Sequence, residues 1–315
     1  MNMPARAAAL CAGCLGFLVA LPALPEDADT EVARLVAELG LRESTVAVRD
    51  RPGWSAPRKV VLMGADAARV AWMQEVAPGV TLVGAADRAA AVREAIGADA
   101  VIGECVPEVI NAGARIRWVQ RMYAGVERCV AIPAFAERGI LLTNMQKVAG
   151  SVMAEHVLAL MFGITRGLAS YVPAQAEGEW ADEAVPESRL WEVKGRTMLV
   201  AGLGGIGSEV AKRAHALGMT VIATRNSGID GPNYVAEVGL PDKLLPFAGR
   251  ADVIVSTLPL TPETRGLMNK SFFDAAKRGA LFINVGRGAS VVTADLVAAL
   301  GDGRIGGAGL DVTDP

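Results

Sequence analysis

Histidine is scarce in this chain: there are two among 315 residues, alongside four cysteines. A metal centre needs three or four nitrogen, sulfur or oxygen ligands clustered at fixed spacing. Cys11 and Cys14 form the one close cysteine pair, and they sit in an apolar stretch with no second pair and no neighbouring histidine. No metal is expected. An excess of one charge is lacking too. Lys and Arg total 31 against 34 Asp and Glu, a net charge of -3 with no basic run, which argues against nucleic acid as a partner. No other apolar run is as long as the one at the N-terminus. There, Met1–Arg6 carries a positive charge, Ala7–Leu21 is apolar, and Pro22, Pro25 and Glu26 end the run. That run is short for a membrane span, which takes about 20 residues. Its basic start, apolar core and small-residue exit resemble a secretory signal peptide. An extended start on a cytosolic chain is the alternative. Under either reading, residues 1–28 lie outside the fold, and the folded part is expected to be without a membrane.

Hydrophobic residues make up 52% of the chain and charged ones 21%, a globular balance that excludes a disordered or fibrous protein. At roughly 150 residues per domain the length suggests two domains, and 35 glycines suggest many tight turns. From Lys59 onward, short apolar runs alternate with Ala-rich amphipathic stretches. Strands are predicted at 59–63, 81–84, 100–103, 117–121 and 140–143, with helices such as 66–76 and 87–96 between them. This rhythm implies βαβ units on a parallel sheet. Residues 151–166 read as one long apolar helix leading out of the first domain (29–150). An irregular crossing follows over 167–193. A second α/β domain, counted from 167 to 315, carries strands at 197–201, 220–223, 253–257, 280–285 and 307–311. The fold class is α/β, with two doubly wound domains.

Within the second domain, Gly202-Leu203-Gly204-Gly205-Ile206-Gly207 follows a strand and opens a helix read as 208–217. The first glycine permits a tight turn, the second lets backbone approach a diphosphate, and the third lets helix pack on strand. The helix N-terminus would then offer N–H groups and a positive dipole end to the phosphates. In this strand–turn–helix setting the pattern is a specific sign of dinucleotide binding. Sites selective for NAD place an acid at the end of the next strand. Here that end reads Thr224-Arg225-Asn226-Ser227. Arg225 can pair with a 2′-phosphate that an acid would repel, with Asn226 and Ser227 as further donors. The site therefore reads as preferring NADP(H) while able to take NAD(H).

From about Lys59 to Pro315 the chain resembles the D-isomer-specific 2-hydroxyacid dehydrogenases, in particular the glyoxylate/hydroxypyruvate reductase-like branch. The resemblance rests on Trp118-Val119-Gln120 through Ala124-Gly125-Val126-Glu127, Leu142-Thr143-Asn144, Ala154-Glu155-His156, the glycine fingerprint, Thr257 to Gly266, Asn284-Val285-Gly286-Arg287-Gly288, and Gly309-Leu310-Asp311-Val312. It implies a flavodoxin-like substrate domain beside a Rossmann coenzyme domain. It also implies that Arg287 is the catalytic arginine, able to clamp a substrate carboxylate and polarise the adjacent ketone. The loop Tyr123-Ala124-Gly125-Val126 would hold that carboxylate through backbone N–H groups, with Tyr123 lining the pocket. Leu258, Pro259 and Val285 would border the nicotinamide, and Asp311 would receive the carboxamide N–H.

The resemblance also implies a catalytic Glu directly after Pro315 and a His further on, so the sequence reads as a fragment whose own activity is uncertain. Neither histidine present fits that role: His156 reads as a packed or interdomain residue of the apolar helix, and His215 as solvent-facing. The expected reaction is hydride transfer between NADP(H) or NAD(H) and a small 2-oxo acid, in a homodimer. A dinucleotide-binding sensor on the same fold is the alternative, against which Arg287 argues, since a sensor needs no substrate clamp. A formate- or phosphonate-type dehydrogenase is a third option. Localisation stays open: the coenzyme points to the cytoplasm, the N-terminus to the periplasm.

Overall fold

The computed structural model describes residues 28–38, 40–41, 44–181, 184–186 and 190–314, so the signal-like reading of residues 1–27 falls outside it. The chain forms two compact units, Met1–Arg51 and Pro52–Pro315. In the first, α1 (Ala28–Glu38) is an eleven-residue helix. The second unit carries both sheets.

Its first sheet begins with β1 (Lys59–Met63), α2 (Ala67–Val76), β2 (Thr81–Ala85), α3 (Arg88–Ala95) and β3 (Ala100–Gly103). It continues through α4 (Pro107–Ala112), β4 (Trp118–Arg121), α5 (Glu127–Val130), α6 (Pro133–Glu137) and β5 (Leu141–Thr143). The five strands are parallel in the order β2-β1-β3-β4-β5, the flavodoxin-like winding. Alternate residues of β1 serve opposite faces: Val61 joins Val101, Val119 and Phe135 in one core, and Val60 and Leu62 join Ala100 in the other. Asp66 and Asp87 stop α2 and α3 from fraying. Their carboxylates accept the N–H groups of Arg69 and Ala90 at 2.8 and 2.7 Å, the N-cap contact that satisfies a helix's orphan donors.

The second sheet is preceded by α7 (Gly150–Thr165) and α8 (Leu168–Ala176). It comprises β6 (Thr197–Ala201), α9 (Gly205–Ala216), β7 (Thr220–Thr224), β8 (Glu237–Gly239), α10 (Leu244–Ala248) and β9 (Val253–Ser256). After these come α11 (Lys270–Ala275), β10 (Ala280–Asn284), α12 (Thr293–Gly301) and β11 (Ile305–Leu310). Its six parallel strands run β11-β10-β9-β6-β7-β8, the dinucleotide-binding order with its switch point between β6 and β9. Helix α7 packs on α9, β10 and β11, and its Ala154, Val157 and Met161 are wholly buried in that core.

Three readings of the chain change. The stretch 167–193 is not irregular throughout, since α8 occupies its first third. Helices α7 and α8 meet at 76° because Gly167 takes a left-handed turn at φ +67°. The fingerprint helix starts at Gly205, three residues earlier than expected, so the glycine turn is itself the helix N-terminus. A sixth strand, β8, was not expected. Among the described residues no single helix is long and apolar enough to cross a membrane.

Candidate active site

The residues singled out from the sequence lie at the C-terminal ends of parallel strands, where open α/β sheets bind ligands. Gly202 leaves β6 at φ +100°, a conformation that side chains other than glycine's rarely adopt. A Cβ on Gly204 would enter open space, so backbone there is accessible to a bulky anion. A Cβ on Gly207 would collide with the carbonyl of Gly202, so the helix packs this tightly only without a side chain. Gly205 and Ile206 form the first turn of α9. Turn, access and close packing each sit at the glycine expected, and these residues fit a dinucleotide's diphosphate. Lys147, missed in the sequence, stands beside them. It holds φ +71°, unusual for a residue with a side chain, and its Cγ would lie 3.0 Å from a Cβ on Gly205.

Arg225 follows β7. Its Nε donates to Ser227 Oγ at 3.0 Å and its Nη1 to the Asp230 carbonyl at 3.0 Å, which pins the guanidinium against its own loop. Asn226 and Ser227 are exposed. Leu258 and Pro259 follow β9. Gly286 passes so close that a Cβ there would lie 2.7 Å from the Leu258 carbonyl oxygen. Val285 is buried just beyond β10.

Asp311 directly follows β11, and its Oδ1 lies 3.2 Å from His156 Nε2. Of the two readings of His156, packed or interdomain, the first is overturned: its side chain is 43% exposed and faces an acid. His215 is exposed as expected.

Arg287 is held from behind. The wholly buried Asn284 and Ser290 donate to its carbonyl at 3.0 and 2.7 Å, and Asn284 Oδ1 accepts the Gly286 N–H at 3.1 Å. Its Nη1 donates to the Gly286 carbonyl at 2.8 Å. The guanidinium thus reaches across to the first sheet's lobe, where it lies against Gly125 and meets Glu127. Nε is 3.1 Å from Glu127 Oε1, and Nη2 donates to Oε2 at 3.3 Å. Glu127 also accepts the Leu260 N–H at 3.4 Å. Burial pushes the Glu127 carboxyl up, but bonds from its own backbone N–H, from Arg287 and from Leu260 outweigh it and hold the group below the usual range.

The loop between β4 and α5 brings Tyr123, Ala124, Gly125 and Val126 to this edge. Its peptide planes are fixed: Met145 N–H donates to the Tyr123 carbonyl, Asn144 Nδ2 to that of Ala124, and Arg121 Nε to that of Gly125. Val126 leads into α5. Tyr123 is exposed beneath the Arg121 guanidinium, 5.1 Å from its ring centroid. Behind the loop, Cys105 and Cys129 form a disulfide that anchors α5, the helix bearing Glu127. Among the described residues no group of three metal-ligating side chains comes together.

Sequence reasoning quoted Glu127 only as the end of a family motif, without a role, and did not foresee the disulfide. The cysteines follow neighbouring strands, which the strand reading alone could have brought together. The motif that ends at Glu127 does not reveal its role, because its partner lies 160 residues away.

Comparison with known proteins gives the same picture. Residues 158–315 match the family model for "D-isomer specific 2-hydroxyacid dehydrogenase, NAD binding domain". A glycerate dehydrogenase of Methylorubrum extorquens is 35% identical over 178 residues, covering 56% of this chain and 54% of that protein. The chain thus spans about half the length of this curated relative. A crystal structure of a D-isomer specific 2-hydroxyacid dehydrogenase family protein from Aeromonas salmonicida superposes with a TM-score of 0.72 at 31% identity, covering 82% of this chain and 83% of the other. An NADPH-dependent glyoxylate/hydroxypyruvate reductase from Sinorhizobium meliloti, solved with NADP and sulfate, gives 0.69 at 27% identity, over 82% and 81%. Sheet order, glycine turn and matched sequence together place the chain in the D-isomer specific 2-hydroxyacid dehydrogenase family.

Proposed function

We propose that this protein is an NAD(P)H-dependent reductase of small 2-oxo acids such as glyoxylate or hydroxypyruvate, with NADPH preferred. The observation that carries the reading is Arg287: buried hydrogen-bonding groups brace its backbone at the C-terminal edge of the coenzyme sheet, while its guanidinium meets the Tyr123–Val126 loop of the other lobe. A sensor would need the glycine turn but not a cation braced in this way. In the proposed reaction the lobe built on the first sheet binds substrate, helix 151–166 links the lobes, and the lobe built on the second sheet holds coenzyme. Bound nicotinamide supplies the hydride. Arg287 grips the carboxylate and draws electron density from the ketone oxygen, and the loop's N–H groups share the negative charge. Leu258, Pro259 and Val285 keep water from the reacting face. Asp311 orients the carboxamide, and His156 steadies Asp311.

We further infer a homodimer formed through α7, α8 and the segment after them, where Val152, Leu168, Val172 and Trp180 stand exposed. An oxidising compartment is favoured by the disulfide together with the signal-like start, and the N-terminal residue of the mature protein decides it.

Arg287→Ala tests the main reading. Losing one charge-stabilising donor costs on the order of 10²–10³ in rate, so kcat/KM for glyoxylate and hydroxypyruvate should fall by at least that much while coenzyme affinity holds. Unchanged kcat/KM would remove Arg287 from the reaction.

A further inference from the structure

We propose that Glu127 is a tethered carboxylate occupying the guanidinium edge that an incoming acid requires, so that only anions able to outcompete it enter the clamp. The inference rests on the reading of Arg287 as the substrate clamp. Glu127 meets Nε and Nη2 together, the two-point geometry in which guanidinium groups prefer to hold carboxylates. With Nη1 on the Gly286 carbonyl, each guanidinium nitrogen already has a partner. Nη2 also lies directly against Gly125, in a contact that a single methyl group would break. While the pair holds, no carboxylate fits between guanidinium and loop.

Glu127 belongs to the first sheet's lobe and Arg287 to the second, so the same contact draws the lobes together. Displacing it frees the guanidinium and the loop at once. The tether gives Glu127 a high effective concentration beside Arg287. A plain carboxylate offers only the two contacts that Glu127 already makes. A 2-oxo acid adds its ketone oxygen and so gains a further hydrogen bond in exchange. The side chain therefore sets an affinity threshold that millimolar concentrations of simple carboxylates do not pass. Burial is outweighed by the backbone N–H and Arg287 bonds, which favour the ionised form of this competitor.

The experiment titrates the coenzyme-saturated full chain with oxamate, an unreactive isostere of a 2-oxo acid, and with acetate, by calorimetry, in parallel with glyoxylate kinetics. Glu127→Gln keeps size and an acceptor oxygen but removes the charge. It should tighten both oxamate and acetate by about tenfold and lower KM for glyoxylate without raising kcat. Glu127→Asp retains the charge but retreats by one methylene, and should fall between wild type and the glutamine variant. That pattern separates displacement from a simple change of net charge, and thermal melts confirm that each variant folds. Affinities unchanged or weakened in Glu127→Gln would overturn the proposal and make Glu127 a residue that merely orients Arg287. Oxamate binding undiminished in Arg287→Ala would instead overturn the clamp, whatever the Glu127 variants do.

Discussion

Arg225 carries the coenzyme preference on one side chain. Ser227 and Asp230 tie its guanidinium at the end of β7, so its orientation is set before any ligand arrives. A charged hydrogen bond contributes about 1.5–3 kcal/mol, with the low end fitting a site open to water. Arg225→Ala should therefore weaken NADPH by about tenfold and leave NADH unaffected, as read by quenching of protein fluorescence. Equal losses for both coenzymes would show that Arg225 supports the loop rather than a 2′-phosphate. Residues such as these were legible because their demands are local. Gly202 must turn, Gly207 must let a carbonyl pass, and an acid is missing after β7; each is written within a few positions. Glu127, Asn284 and Ser290 were not legible as site residues. Their work depends on partners that only folding brings within hydrogen-bonding distance, and a glutamate opening a short helix has ordinary local reasons to be there.

Elements were readable in proportion to their length and periodicity. The central strands β1, β3, β6, β9 and β10 are largely buried on both faces and read as continuous apolar runs, and most strands were placed to within a residue or two. The short helices α10 and α11 span five and six residues, too few for an apolar stripe to declare itself. The edge strand β8 has three residues and offers no alternation to detect. Helix α8 was hidden by Pro173, which lies inside it and usually signals an ending. At the β4–α5 connection the loop was legible but its anchor was not, because the anchor is covalent. The Cys105–Cys129 bridge closes 24 residues of chain, and constraining a loop of that length in the unfolded state stabilises a fold by about 3 kcal/mol. Reduction by a dithiol should shift the urea midpoint accordingly, and Cys105→Ser should show the shift without reductant. A midpoint indifferent to both would mean that the thiols are unpaired in the native protein.

Across the whole molecule the two sheets repeat one device at the edge opposite the candidate site. Asp99 immediately precedes β3, and its Oδ2 accepts the N–H groups of Arg58 and Lys59 at the start of neighbouring β1. Arg115 and Arg117 pair with its other oxygen at 2.7 and 3.3 Å. Asp252 immediately precedes β9 and accepts the Thr197 N–H at the start of neighbouring β6, with Lys277 and Arg196 alongside. Each acid pins the N-terminal ends of two central strands, which leaves the C-terminal ends free to carry ligand-binding loops. Burial pushes the Asp99 carboxyl up, but the two backbone N–H groups and Arg115 more than offset it and hold the group at about 2, against an ordinary 3.8. A depressed folded-state pKa means stability that is present above the ordinary carboxylate range and lost as pH falls toward 2. The difference corresponds to about 2 kcal/mol. Asp252 is shifted in the same direction, with burial opposed by the Lys277 and Thr197 bonds, so both lobes should loosen together in acid. Urea unfolding of wild type and Asp99→Asn at pH 7, 4 and 2 tests this. The variant should be weaker by about 2 kcal/mol at pH 7, and most of the gap should be gone at pH 2, where about half of the folded wild-type carboxyl is protonated. A gap that stays constant over that range would mean that Asp99 acts through its shape and hydrogen bonds alone, with its charge contributing nothing to how the strands are held.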